Sequence, residues 1–212
     1  KKEKMRLLDK NKINLVKVED DYFPFFHIKN AFQEDIDCHE LVESFPQIDT
    51  GGSFPSENLI DGPLKDLIQE LEGGDFKNIL EEKLDVDLKD AAVVTTLRGY
   101  SRLKDGQIHT DSNSKILTVL LYLNLDWDET VGNLRLLKNN TNLDDYIQEI
   151  PSSFGSLLAF KVTENCWHGF HAFEGKRLSV QMNYIYKRSF SSHRLRHLIS
   201  SKLKKIFTSK KH

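Results

Sequence analysis

Apolar positions change their period near residue 90, and two kinds of structure follow from that change. Before it the spacing is helical. Leu64, Leu67, Ile68 and Leu71 fall at i, i+3, i+4 and i+7 and predict a helix over Pro63–Leu71. Pro63 suits its first position, and Gly73-Gly74 supply the stop. Asp75 is placed to cap a following helix whose inner face holds Phe76, Ile79, Leu80 and Leu84. An imperfect stripe of Phe32, Ile36, Leu41, Val42 and Phe45, ended by Pro46, predicts an earlier helix. The aromatic and β-branched run within residues 20–32 reads as an early strand, and Gly51–Gly62 as an ordered loop.

After residue 90 the runs are short, β-branched and separated by polar turns. Strands are expected over 92–100, 115–124, 133–137, 156–162 and 177–186. Helices first and strands later make the class α+β. The architecture expected is a double-stranded β-helix (jelly-roll) core with supporting N-terminal helices and a basic C-terminal helix. The domain reading is one unit over 1–186, helical support at about 30–90 and jelly-roll at about 91–186, followed by a tail over 187–212. In the last strand Leu178, Val180, Met182 and Tyr184 form an apolar set, while Arg177, Ser179, Gln181 and Asn183 form a polar one. A polar face there is costly unless partnered. It fits either a cavity holding a charged compound or a solvated edge strand.

Composition narrows the class. A 212-residue chain with 39% apolar and 29% charged residues suits one folded domain with a real core. No run approaches the ~20 apolar residues of a membrane-spanning helix, and no apolar run follows the charged start to make a secretory signal. Two cysteines, Cys38 and Cys166, are too few for a disulfide framework, so a reducing cytoplasm is expected. Cys166 reads as a small buried hydrophobe.

The net charge of −2 hides an asymmetry. Nine of the 30 Lys and Arg residues lie from Lys187 onward with no Asp or Glu among them. Residues 1–186 therefore carry 21 basic against all 32 acidic side chains, a net −11. In the tail, Leu195, Leu198, Ile199, Leu203, Ile206 and Phe207 are spaced helically among Arg194, Arg196, Lys202, Lys204 and Lys205. The favoured reading is a helix packed on the body with a solvated basic face, or a frayed end. Its other reading is peripheral contact with an anionic membrane. Nucleic acid is not an expected partner, because an acidic body repels phosphates.

The chemistry sits in the second half. His109-Thr110-Asp111 places an imidazole and a carboxylate two residues apart, on one face if the segment is extended. A bare pair of this kind also arises by chance on surfaces. Two imidazoles and one carboxylate can cap one face of a non-haem Fe(II). His168 is the candidate for the third ligand, with His171 its rival. Arg177 follows His168 by nine positions, and its fork suits a dicarboxylate.

Tyr122-Leu123-Asn124-Leu125-Asp126-Trp127-Asp128, followed by Gly132-Asn133-Leu134-Arg135-Leu136, resembles the central segment of the prolyl hydroxylases that act as oxygen sensors. With His109, Asp111, His168 and Arg177 in order, residues 92–186 resemble the Fe(II)/2-oxoglutarate-dependent oxygenase superfamily, prolyl-4-hydroxylase-like branch. The resemblance implies that His109, Asp111 and His168 bind iron, and that Arg177 and Tyr122 hold the distal carboxylate of 2-oxoglutarate. It implies that Tyr100 lines the same pocket. Fe(II), 2-oxoglutarate and O2 are the implied cofactors, with ascorbate a compatible reductant. The implied reaction is hydroxylation of an unactivated C–H bond, with succinate and CO2 as co-products.

One departure is Val131-Gly132, where the family often has Gly-Gly. The substrate implied is a peptidyl proline, or a small molecule or sugar, since the chain also resembles bacterial oxygenases with a Trp-His-Gly-Phe segment. The competing class is a non-catalytic or differently metallated jelly-roll binding module, which needs no dicarboxylate anchor.

Overall fold

Helices and a small second sheet cover the two faces of one large sheet. A computed structural model of the chain describes residues 6–57, 59–128 and 130–189. The elements run α1 (Lys10–Leu15), β1 (Phe25–Ile28), α2 (Cys38–Glu43), β2 (Phe54–Pro55), α3 (Pro63–Leu71) and α4 (Gly74–Leu84). Then come β3 (Ala91–Ser101), β4 (Lys115–Tyr122), β5 (Leu134–Leu137), β6 (Tyr146–Ile150), β7 (Leu157–Lys161), β8 (His168–Gly169) and β9 (Gly175–Tyr186). The predicted basic tail helix falls in 190–212, outside the described residues. Among the described residues no helix is long and apolar enough to cross a membrane.

The helix α3 matches the sequence expectation to the residue, and its four predicted positions are all buried. Two other helical expectations need correction. The stripe from Phe32 to Phe45 contracts to the six residues of α2, because Asp37 accepts a hydrogen bond from the Glu40 amide at 2.9 Å and starts the helix there. Phe32 is held in a turn instead, its amide donating to Asn30 Oδ1 at 3.0 Å, and its ring stacks on Phe154 at 4.9 Å. Asp75 does not cap α4. Gly73 occupies the cap position, and Asp75 lies in the first turn, where its carboxylate suits the helix dipole and meets Lys10 Nζ at 3.0 Å.

All named strand pairs are antiparallel. The large sheet has the order β1-β7-β4-β9-β3-β2, and the small one β6-β5-β8. This two-sheet arrangement is consistent with a jelly-roll. One face of the large sheet presents Leu97, Leu117, Val119, Leu121, Val180, Met182 and Tyr184 to Leu64, Leu67, Phe76 and Leu80 of the helices. The other presents Leu120, Tyr122, Leu158 and Phe160 to Leu134, Leu136 and Ile150 of the small sheet.

Strand β9 lies between β4 and β3, so it is not an edge. Its polar set therefore points between the sheets, and Arg177, Ser179 and Asn183 are buried there. Of the two readings of that face, the solvated edge strand does not hold. Phe76 is fully buried at the helix–sheet core, so Phe76→Ala is expected to cost ~3–5 kcal/mol. Urea unfolding checks this, and a loss under about 1 kcal/mol would mean that the core collapses around the deletion.

Candidate active site

The triad is assembled by a single bridge between distant segments. His109 and His168 face each other as an antiparallel pair. The amide of His109 donates to His168 O at 3.0 Å, and that of His168 to His109 O at 2.9 Å. Opposed residues put their side chains on one side, which brings the two rings to 4.3 Å between centroids. Asp111, two residues on, reaches the same point. The ligand atoms of His109, Asp111 and His168 all lie within 4.8 Å of one another. His109 is exposed, while Asp111 and His168 are buried. The rival His171 is elsewhere: its Nε2 meets Asp144 Oδ1 at 2.8 Å.

The hydrogen bonding of the three groups suits a divalent cation. His109 Nδ1 lies 2.8 Å from Gln107 O, and His168 Nδ1 lies 2.8 Å from Cys166 O. A carbonyl only accepts, so each Nδ1 donates and each Nε2 keeps a free lone pair. Burial, with His109 alongside, pushes the pKa of His168 down to about 4, so the ring is neutral. Burial pushes Asp111 up, but the charge of Lys115 and hydrogen bonds from Lys115 and Thr118 hold it below the usual carboxylate range.

Lys115 Nζ donates to Asp111 Oδ1 at 2.7 Å, and Thr118 Oγ1 donates to Oδ2. A carboxylate has about four acceptor sites, so these bonds orient it and leave lone pairs for a metal. Two imidazoles and one carboxylate converging on one point, with His109 exposed, fit Fe(II). Cys166 is buried and free, its thiol pushed up by burial, and it is not one of the grouped ligands.

A pH effect follows from the buried imidazoles. Burial also lowers the pKa of His27 to about 4. Both rings are therefore harder to protonate folded than unfolded, where the value is 6.5. The unfolded chain takes up more protons between pH 6.5 and 4, so the metal-free protein loses stability as pH falls through that window. Each unit of depression at His168 corresponds to ~1.4 kcal/mol. Thermal melts of metal-free protein should decline steadily from pH 6.5 to 4. A flat profile would mean that these rings are accessible to protons when folded.

A second cluster lies along the same inner face. Arg177 Nε donates to Gly132 O at 2.9 Å and to Ser152 Oγ at 3.1 Å, and Nη2 donates to Tyr122 Oη at 3.2 Å. Its guanidinium lies 4.4 Å from the Phe170 ring and 5.0 Å from the Tyr122 ring. The side chain is thus clamped by Nε, with its Nη edge beside the tyrosine hydroxyl. That edge could hold a carboxylate. Gly132 has φ +81°, and a Cβ there would meet Phe173 at 2.9 Å, so a glycine is required where its carbonyl turns to Arg177.

The structure does not bring Tyr100 to this cluster. The register of β3 on β9 shifts between Arg98, opposite Ser179, and Tyr100, opposite Lys176. Lys176 and Leu178 share the helix-side face, while Arg177 and Ser179 share the inner one. Tyr100 accordingly lines a cleft of about 500 Å³ with Val42, Phe45 and Lys176, and its hydroxyl donates to Glu174 Oε1 at 3.4 Å. Arg98 takes the inner position in its place. Lys115, Thr118, Ser152, Phe170 and Arg98 were absent from the sequence expectations.

Residues 96–185 match the model of the 2OG-Fe(II) oxygenase superfamily. No curated protein sequence matches the chain. Among solved structures, a Pseudomonas putida prolyl-4-hydroxylase is similar at 14% identity and TM-score 0.53, over 77% of this chain and 86% of that one. A Trichoplax adhaerens prolyl hydroxylase, in complex with a hypoxia inducible factor oxygen degradation domain peptide fragment, is similar at 17% and 0.53, over 84% and 87%. HygX from Streptomyces hygroscopicus, with nickel and 2-oxoglutarate bound, is similar at 13% and 0.53, over 79% and 84%. At these identities the likeness establishes the fold. The triad and Arg177 all lie within residues 96–185, the stretch that matches the 2OG-Fe(II) oxygenase superfamily model.

Proposed function

We propose that the protein is an Fe(II)- and 2-oxoglutarate-dependent dioxygenase that hydroxylates an unactivated C–H bond and releases succinate and CO2. The observation that supports this most is the pairing of a His-Asp-His cluster with a clamped arginine on the same inner face. When bound, the iron and 2-oxoglutarate supply the oxidising chemistry. His109, Asp111 and His168 hold the metal on one side. Thr118 and Lys115 fix the carboxylate, and the Gln107 and Cys166 carbonyls fix the two rings. Arg177 and Tyr122 orient the co-substrate by its distal carboxylate, and Phe170 and the small sheet keep water from that end.

A carboxylate as third ligand favours hydroxylation over halogenation, which needs that position for halide. The prime substrate is a peptidyl proline, in keeping with the peptide-bound T. adhaerens neighbour, or a small molecule or sugar. A reducing compartment suits the two free cysteines and ferrous iron. A non-catalytic binding module has no use for the Arg177–Tyr122 pair. Succinate release from 2-oxoglutarate with Fe(II) and O2, followed by NMR across peptide and metabolite panels, tests the reading. Absence of both turnover and 2-oxoglutarate binding would end it.

A further inference from the structure

Arg98 is a cation without a carboxylate of its own. Its Nε is shut off from solvent and has no hydrogen-bond partner among the described residues. It stands in one row across the large sheet with Ser179 of β9 and Tyr122 of β4, beside the Arg177 cluster. The charges acting on it are those of Arg177, Asp105 and Asp111. Neither carboxylate is free to serve it. Asp105 is held by Arg102, with contacts at 3.1 Å and 2.8 Å. Asp111 is held by Lys115 and belongs to the triad.

Arg98 is half-buried, and a guanidinium whose inner nitrogen is left without a partner is costly, so a fold retains one where a ligand completes it. 2-Oxoglutarate does not remove the excess. Its two charges offset those of the metal dication, so Arg177, Lys115 and Arg98 remain three positive charges against the single carboxylate of Asp111. An uncharged prolyl side chain would leave Arg98 as it stands.

We infer that Arg98 receives an anionic group, a carboxylate or phosphate, carried by the prime substrate, which makes the substrate an acid. This rests on the dioxygenase reading above and names the substrate class for it. The guanidinium sets which end of the substrate enters between the sheets, and so which C–H bond faces the metal.

The test uses full-length protein loaded with Ni(II), the ion bound beside 2-oxoglutarate in the S. hygroscopicus neighbour, and saturated with 2-oxoglutarate. Sulfate, a weak metal ligand with the right charge, is titrated by calorimetry. Wild type is expected to bind it, Arg98→Gln at least ~10-fold more weakly, and Arg98→Lys within a few fold of wild type, while 2-oxoglutarate affinity stays within about threefold in all three. Without ligands, Arg98→Met should melt ~2–4 °C higher, since the buried, unpartnered Nε is gone. Succinate release should be stimulated by carboxylate- or phosphate-bearing compounds and not by their neutral amides or esters.

A wild type that ignores sulfate, or an Arg98→Gln that leaves its affinity unchanged, overturns the inference. So does a loss confined to 2-oxoglutarate, which would give Arg98 to the co-substrate, or a lower melting point for Arg98→Met, which would make it structural. A wild type that fails to bind 2-oxoglutarate overturns the dioxygenase reading instead.

Discussion

Replacing Asp111 with Ala is expected to abolish specific metal binding at neutral pH and, with it, 2-oxoglutarate turnover. Asp111 is the anionic ligand, whereas His168 is held neutral by burial. Removing the carboxylate also strands Lys115 Nζ, now 2.7 Å from Oδ1, and the Thr118 hydroxyl. The emptied site would be a cation beside two imidazoles, which repels a dication. The loss should exceed the ~10–100-fold expected for an outer-shell partner such as Thr118→Val. Calorimetric titration with Mn(II) separates the two variants. Asp111→Ala binding Mn(II) like wild type would remove the carboxylate from the site, whatever the activity.

The contrast between these two variants explains which parts of the site the sequence discloses. His109 and Asp111 are legible because their relation is local, two positions along an extended segment. The opposition of His109 and His168 is not local. It depends on a bridge across 59 positions that no periodicity encodes. α3 is legible to the residue for the same local reason, since its Pro63 start, its stripe and its Gly73-Gly74 stop lie within a dozen positions. β8, two residues long, is invisible to any pattern, yet it carries His168.

Tyr100 and Arg98 show the limit most sharply. Strict alternation puts both on the same side of β3, but the register shift between them sends them to opposite faces. Gly99 is the available signal. A Cβ there would meet Ile48 O at 2.6 Å and its side chain at 2.5 Å, so backbone and neighbour are in contact at the irregularity. A glycine inside a strand is a reason to stop counting by twos.

The Arg177 cluster yields the second large effect, and its size follows from what remains after truncation. Arg177→Met is expected to weaken 2-oxoglutarate binding to the metal-loaded protein by ~100-fold or more, within the 2–5 kcal/mol that losing one partner of a buried charge pair costs. The apolar replacement keeps contact with Phe170 and Tyr122 but leaves Gly132 O and Ser152 Oγ without the Nε donor. Arg177→Lys keeps the charge and should still lose about tenfold, because an ammonium cannot bond Gly132, Ser152 and a carboxylate from one planar fork. Tyr122→Phe removes one hydroxyl beside Nη2 and should cost ~0.5–1.5 kcal/mol. Combined with Arg177→Met, that cost should shrink, since the tyrosine then has no shared carboxylate to hold. Calorimetry with 2-oxoglutarate and with succinate gives the four affinities of the cycle. If the two losses add fully, Arg177 and Tyr122 act on different groups and the anchor lies elsewhere on the inner face.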